Sequence, residues 1–376
     1  MPPFELETYD LGSSVLIRSR ISGATVISNA VGLDILTGLR CGETEASLAA
    51  RLSKDGELNA VDALSLVRAT LDDWDSAGLF LAEAFEDPAT DVKRPNPAEM
   101  LSRTFALDGR TCTVRSPFRI LLDQVSAVLA PYEVASSDVS GCTIEAVGGW
   151  DDFVVISDGD VHRSGLDHDQ LRHLVLREVI ASLAGRSATA ALLHASCVAQ
   201  AGVCMVIAGP SGSGKTTLAL ELAMAGWDHV GDDLIPLLRD GCGVCAVPAA
   251  ASVKLDRSAE PALRAPQSVS DLGAALGLDY CVPSTAVAAG SKLRVGAILF
   301  PTYSPDAVAA AERIAPEHAL IGLLGSGSDL VRISDSIEPL ASLCNSVPAF
   351  RITYGGSSTA LRLCADVFEV AGREHG

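Results

Sequence analysis

Val203-Cys-Met-Val-Ile-Ala-Gly209-Pro-Ser-Gly-Ser-Gly-Lys215-Thr216-Thr-Leu-Ala-Leu-Glu-Leu runs an apolar strand into a glycine-rich loop and on into a helix. Residues 203–208 are uninterrupted apolar, the mark of a strand buried on both faces. The loop then fits the phosphate-cradle pattern G-x-x-x-x-G-K-[ST] in full. Its glycines let backbone N–H groups turn inward around a phosphate, and the following helix, expected over 217–225, adds its positive dipole end. The candidate nucleotide contacts are Gly209, Pro210, Ser211, Gly212, Ser213, Gly214, Lys215, Thr216 and Thr217. Lys215 is the point charge for the β/γ oxygens of ATP, and the Thr216 hydroxyl suits Mg²⁺.

Working outward, Gly226 closes that helix and residues 227–231 lead to two adjacent carboxylates, Asp232 and Asp233. A strand returning beside the phosphate-loop strand would set both near a γ-phosphate. Two acids so close to the lysine suit two jobs, one near Mg²⁺ and one accepting the proton of an attacking hydroxyl. Upstream, His194 stands at the start of the strand pair, about 192–208, that feeds the loop.

The flanks are read from period and punctuation. Residues 4–9, 14–18 and 24–27 read as a small meander, followed by helices from Ser28 or Asn29 to Leu39, over 45–52 and over 60–77. Val61, Leu64, Leu71 and Trp74 keep helical spacing in the third. Residues 86–98 hold three prolines and five charges, which is linker composition. From 102 to 161 the pattern is β-rich, broken by a helix at 118–129, and a further helix covers 167–183. Beyond the loop, strands are expected at 295–300, 330–333 and 349–353, with a last helix at 359–370. Three segments follow: 1–85, the linker 86–98, and 99–376, itself a β-rich part to 190 and a core from 191.

The formal net charge of −19 opposes nucleic-acid binding through phosphate neutralisation. The opening Met1-Pro-Pro-Phe-Glu has no signal-peptide pattern and no apolar run spans a membrane, so the expected setting is cytoplasmic. The ten cysteines read mostly as small hydrophobes, and Cys242-Gly-Val-Cys245 as a hairpin turn, not half a metal site.

His194-Ala-Ser, the loop 209–216 and Val230-Gly-Asp-Asp233 together resemble the HPr kinase/phosphorylase family, whose fold is similar to the phosphoenolpyruvate carboxykinase ATP site. His194 lies 21 residues before Lys215 and Asp233 lies 18 after it, the family's own spacings. The resemblance implies catalytic roles for His194, Lys215 and Asp233, with ATP and Mg²⁺ as cofactors. It also implies an α/β chain whose C-terminal domain is a P-loop fold with a mixed sheet. The family's glutamate ligand has no clear counterpart near Ser258, and Asp232 or a water would take its place. Its later catalytic Arg is open among Lys254, Lys292 and Arg294. The recognition signature for the HPr protein is missing, so a different acceptor is expected.

Residues 1–85 resemble a PqqD-like domain, an α+β winged-helix-like element that recognises leader peptides in ribosomal peptide modification. The matching residues are Ile27-Ser-Asn29, Gly42-Glu-Thr44 and Asp75-Ser-Ala-Gly78-Leu-Phe. The resemblance implies a precursor peptide as partner, its leader adding as a strand at Val26, Ile27 and Ser28 and packing on Leu64 and Arg68. The implied activity is phosphorylation of a Ser or Thr hydroxyl on that peptide. A small-molecule kinase and a non-catalytic nucleotide-binding scaffold are the alternatives, and a homo-oligomer stays open.

Overall fold

The computed structural model describes residues 6–12, 14–19, 24–54, 58–77, 79–80, 95–135, 141–149, 152–166, 168–186, 188–210, 212–240, 243–248, 253–256, 278–281, 283, 285–288, 290–326 and 337–374. The chain separates into two compact units, Met1–Glu86 and Asp87–Gly376. In the first, β1 (Leu6–Asp10), β2 (Val15–Ser19) and β3 (Thr25–Ser28) form an antiparallel sheet in that order. Three helices follow: α1 (Ala30–Arg40), α2 (Glu45–Lys54) and α3 (Ala60–Ser76). Asn29 caps α1 by accepting from Gly32 N at 3.0 Å, and Asn59 caps α3 by accepting from Val61 N and Asp62 N. These side chains satisfy N–H groups that a helix start leaves without partners. The core holds Ile17, Ile35, Leu48, Val67 and Trp74. Val61, expected on the apolar face of α3, is instead 74% exposed. The inward stripe is Ala63, Val67 and Trp74, and Val61 falls between its turns.

The second unit carries two large sheets. The first has six strands, β4 (Leu101–Leu107), β5 (Arg110–Ser116), β6 (Glu133–Val134), β7 (Cys142–Gly149), β8 (Asp152–Ser157) and β9 (Asp160–Leu166). Their order is β6-β4-β5-β7-β8-β9, with β5 and β7 parallel. Helices α4 (Arg119–Val128) and α5 (His168–Ala184) share a core with it through Phe105, Val114, Leu122, Ile144 and Val179.

The second sheet has nine strands: β10 (Thr189–Leu193), β11 (Ala195–Gln200), β12 (Val203–Ala208), β13 (Asp228–Gly231), β14 (Ile235–Asp240), β15 (Gly243–Ala246), β18 (Leu293–Tyr303), β19 (Ala310–Ile314) and β20 (Ala349–Tyr354). Between them in sequence, β16 (Val253–Asp256) and β17 (Leu278–Cys281) form a separate pair. β12, β18 and β20 are parallel neighbours, so their carboxyl ends point one way. Helix α6 (Lys215–Met224) packs on this sheet together with the last helix, α9 (Ser357–Glu374). Trp227 and Phe368 meet edge-to-face beside them, ring centroids 4.9 Å apart. The fold class is α/β, with mixed sheets.

Two helices, α7 (Pro316–Gly325) and α8 (Ile337–Ser346), and strand β19 were not expected. Residues 316–325 are apolar on nearly every side and hold two glycines, so no amphipathic period marks the helix. The strand expected at 330–333 lies outside the described residues. No described helix is long and apolar enough to cross a membrane.

A contrast along α3 tests the core assignment. Trp74→Ala should cost about 3–5 kcal/mol in chemical denaturation of the full chain. Val61→Lys should stay within about 0.5 kcal/mol; equal effects would mean the stripe is misassigned.

Candidate active site

The loop leaves β12 at the carboxyl end of the parallel strands, where open α/β sheets hold ligands. Gly214 caps α6 with φ +91°, a conformation that favours glycine. A Cβ there would lie 3.2 Å from the Tyr354 hydroxyl, at the end of β20, so the loop is fitted closely against the sheet. Lys215 is buried, and its Nζ donates to Gly209 O at 2.8 Å and Pro210 O at 3.0 Å. Its burial pulls the ammonium below the ordinary lysine range, against the opposing fields of Asp232 and Asp233. The Ser213 hydroxyl is buried in the loop and bonds to no protein atom. Thr217 is exposed on the first turn of α6, and Ser211 lies outside the described residues.

After α6 the chain turns at Gly226 into β13, which pairs with β11. The expectation that it would lie directly beside the phosphate-loop strand is corrected: β11 stands between β13 and β12. The acids still reach the loop, because the chain bends sharply after Gly231. Leu234 N donates to Asp232 O at 2.9 Å across Asp233, whose φ is +71°. This is a γ-type turn with a left-handed centre, a strained arrangement that concentrates at functional sites. The bend sends the neighbouring carboxylates to different tasks.

Asp232 is 4% exposed. Thr216 Oγ1 lies 3.1 Å from each of its carboxylate oxygens, and Ser196 Oγ donates to Oδ1. Desolvation raises its pKa to about 6, with the Ser196 hydrogen bond opposing. Asp233 turns the other way: its Oδ1 lies 3.3 Å from His194 Nε2. Burial lowers the His194 pKa, against the field of Asp233, while Lys215 and His173 add to the lowering. The His173 and His194 rings are 6.1 Å apart. The structure thus brings Lys215, Thr216, Asp232, Asp233 and His194 to one place. Sequence reading missed Ser196, whose one signal was a hydroxyl inside the otherwise apolar run 195–199.

The basic candidates are not brought there. Arg294 pairs in register with Val203, at the upstream end of β12, and Lys292 precedes it. The loop begins at Gly209, six residues further along and about 20 Å away at strand rise. Lys254 lies in β16, and its side chain is outside the described residues. For the metal, the donor pair of Thr216 hydroxyl and Asp232 carboxylate fits Mg²⁺, which takes one or two protein ligands plus phosphate and water oxygens.

In the first unit, Ser19 N bonds Ala24 O, and ladder alternation from that pair turns the N–H and C=O of Thr25 and Ile27 toward the open edge of β3. A groove of about 560 Å³ runs along this edge, lined by Val26, Ile27, Ser28, Leu66, Thr70 and Trp74 among others. Leu64 and Arg68 do not line it. They share a different stripe of α3, facing α2, where Arg68 Nε lies 3.1 Å from Glu45.

No family model matches the chain, and no curated protein does. Among solved structures it is similar to the Hpr(Ser) kinase/phosphatase from Coxiella burnetii. The identity is 15% and the TM-score 0.27, covering 49% of this chain and 99% of that one. A likeness this loose carries no weight in reading the site.

The buried carboxyl of Asp232 makes a stability prediction for the metal-free protein. Its folded pKa of about 6 lies above the unfolded value near 3.9, so folding weakens as pH rises between them and stays weakened above. Asp232→Asn removes that charge and should stabilise the chelator-treated protein at pH 8, by on the order of 1–3 kcal/mol. The gain should shrink toward pH 4 in thermal melts; no gain at pH 8 would mean Asp232 is already compensated.

Proposed function

We propose that the chain is an ATP- and Mg²⁺-dependent phosphotransferase acting on a Ser or Thr hydroxyl of a ribosomally made precursor peptide. The observation that carries it is the division of labour between adjacent acids. Asp232 meets the Thr216 hydroxyl of the phosphate loop, while Asp233, one residue on, meets His194. Thr216 and Asp232 would hold Mg²⁺, which would supply charge neutralisation for the transferring phosphoryl. Lys215 and the loop N–H groups hold the phosphate oxygens. Asp233 takes the proton as the hydroxyl oxygen bonds to phosphorus, and ADP leaves. His194, kept neutral by burial, donates its Nε2 proton to Asp233 and holds that carboxylate in place.

The first unit is assigned to leader capture. Its support is the edge of β3 at Ile27, open among the described residues, beside a groove lined by Val26, Leu66 and Trp74 together with Ser28 and Thr70, an arrangement that strand addition can use. With capture and transfer on one chain, a bound leader raises the local concentration of the acceptor to about millimolar.

Lys215→Ala should abolish transfer from radiolabelled ATP. Asp233→Asn should keep nucleotide binding and lower transfer about 10²–10⁴-fold; a drop under tenfold would hand the base role to another group. Deleting residues 1–80, or Ile27→Pro, should raise KM for full precursor while leaving turnover of free core peptide unchanged. Equal use of precursor and core by the truncated enzyme would favour a small-molecule or unassisted kinase. Nucleotide binding with no phosphorylated product would favour a scaffold.

A further inference from the structure

The sequence read the cysteines as small hydrophobes, and most described ones are buried. Cys142 differs. It opens β7, is only partly buried, and stands in direct parallel register with Cys112 of β5. Register partners on neighbouring strands put their side chains on one face, with Cα atoms about 5 Å apart. That lies inside the range a disulfide spans without moving the backbone. Cys112 is fully buried on that face, in the core shared with α5.

A guanidinium is held against Cys142, the less buried member of the pair. Arg186, just past α5, donates from Nη2 to Cys142 Sγ at 3.8 Å and to Ser157 Oγ at 3.1 Å. Its Nη1 is fixed at 2.6 Å by Glu178, which also takes Arg177 at 2.9 Å, so two guanidiniums share one buried carboxylate. A thiolate at Cys142 supplies a second anion to this cluster. The Ser157 hydroxyl stands 4.0 Å from the same sulfur.

We propose that Cys142 is a site of reversible thiol oxidation by hydroperoxides, with Cys112 as its resolving thiol. The Cys142 sulfur attacks the peroxide O–O bond, takes one oxygen as sulfenic acid and releases the other as an alcohol or water. The sulfur gives up two electrons, which the broken O–O bond accepts. The Cys112 sulfur then displaces that oxygen as water, taking a proton with it, and leaves a disulfide between β5 and β7. The Cys112 hydrogen bond brings the Cys142 pKa to about 6, against its burial, with Ser182 and Arg186 assisting. Cys112 is pushed the opposite way by the same contact and by burial, so it remains a thiol until it gives up its proton in attacking the Cys142 sulfenic sulfur.

Cys41 is exposed and serves as the internal control. At pH 6 a thiol with a pKa of about 6 is half ionised, and an ordinary one near 8.5 about 0.3% ionised. Lower basicity removes about a factor of 13 from nucleophilicity, leaving roughly a tenfold advantage in rate. The full chain is treated with limiting hydrogen peroxide at pH 6, alkylated and mapped by peptide mass spectrometry. Cys142 should oxidise roughly tenfold faster than Cys41 and be recovered linked to Cys112, with dithiothreitol restoring both. In Cys112→Ser the oxidation should stop at a dimedone-reactive sulfenic acid on Cys142. Arg186→Gln should bring Cys142 down toward the rate of Cys41. Faster loss of Cys41, or oxidation of Cys142 with no 112–142 linkage, would overturn the proposal.

Discussion

A carboxylate taken out of water organises the candidate site. Asp232 is buried where three elements meet: the first turn of α6 through Thr216, β11 through Ser196, and the γ-type turn after β13 that carries it. An unpaired charge in such a place would be very costly, so the surrounding hydroxyls are structural requirements as much as chemical ones. They offset only part of the burial, since desolvation still leads among the causes of its raised pKa. Sites that hold cations tend to be built in this way, with folding left short of what the ligand supplies. Thr216 in turn ties the start of α6, and with it the end of the loop, to that carboxylate.

The left-handed backbone at Asp233 is the counterpart of that burial. Had the chain continued as a strand, side chains 232 and 233 would have alternated across the sheet, placing one acid on the far face. The turn breaks that alternation, so both stay at the carboxyl end of the parallel strands, aimed at different partners. A non-glycine residue with φ +71° carries a conformational cost.

How much of this was legible followed the range of the interaction. The phosphate loop needs eight consecutive residues and a strand–helix context, all local, and was readable outright. His194 and Asp233 lie 39 positions apart, and only the spacings of a resembling family suggested that they belong together. Ser196 left almost no signal, because its meaning depends on which strand β13 chooses as neighbour. The same limit applied in α3, where helical period marked the apolar positions but not which stripe faces β3. Thus Leu64 and Arg68 were named where Leu66, Thr70 and Trp74 line the groove. Helix α7 was invisible for the opposite reason: apolar all round, it has no polar face to mark a period.

Electrostatics argue that the loop must work at short range. The chain's net charge of −19 repels a polyphosphate at a distance, and the buried Lys215 feels both acids and acts on His194. Its Nζ is held by two loop carbonyls, so a phosphate oxygen must compete with those contacts. Under the proposed function, attraction would come from groups that act only on contact: the N–H dipoles of the loop, the first turn of α6, and a divalent ion carried in with the phosphates. A neutral His194 fits that arrangement. A second cation beside Asp233 would hold its carboxylate as a salt-bridge partner and weaken it as a base, whereas a neutral imidazole orients it and leaves the charge free to take a proton.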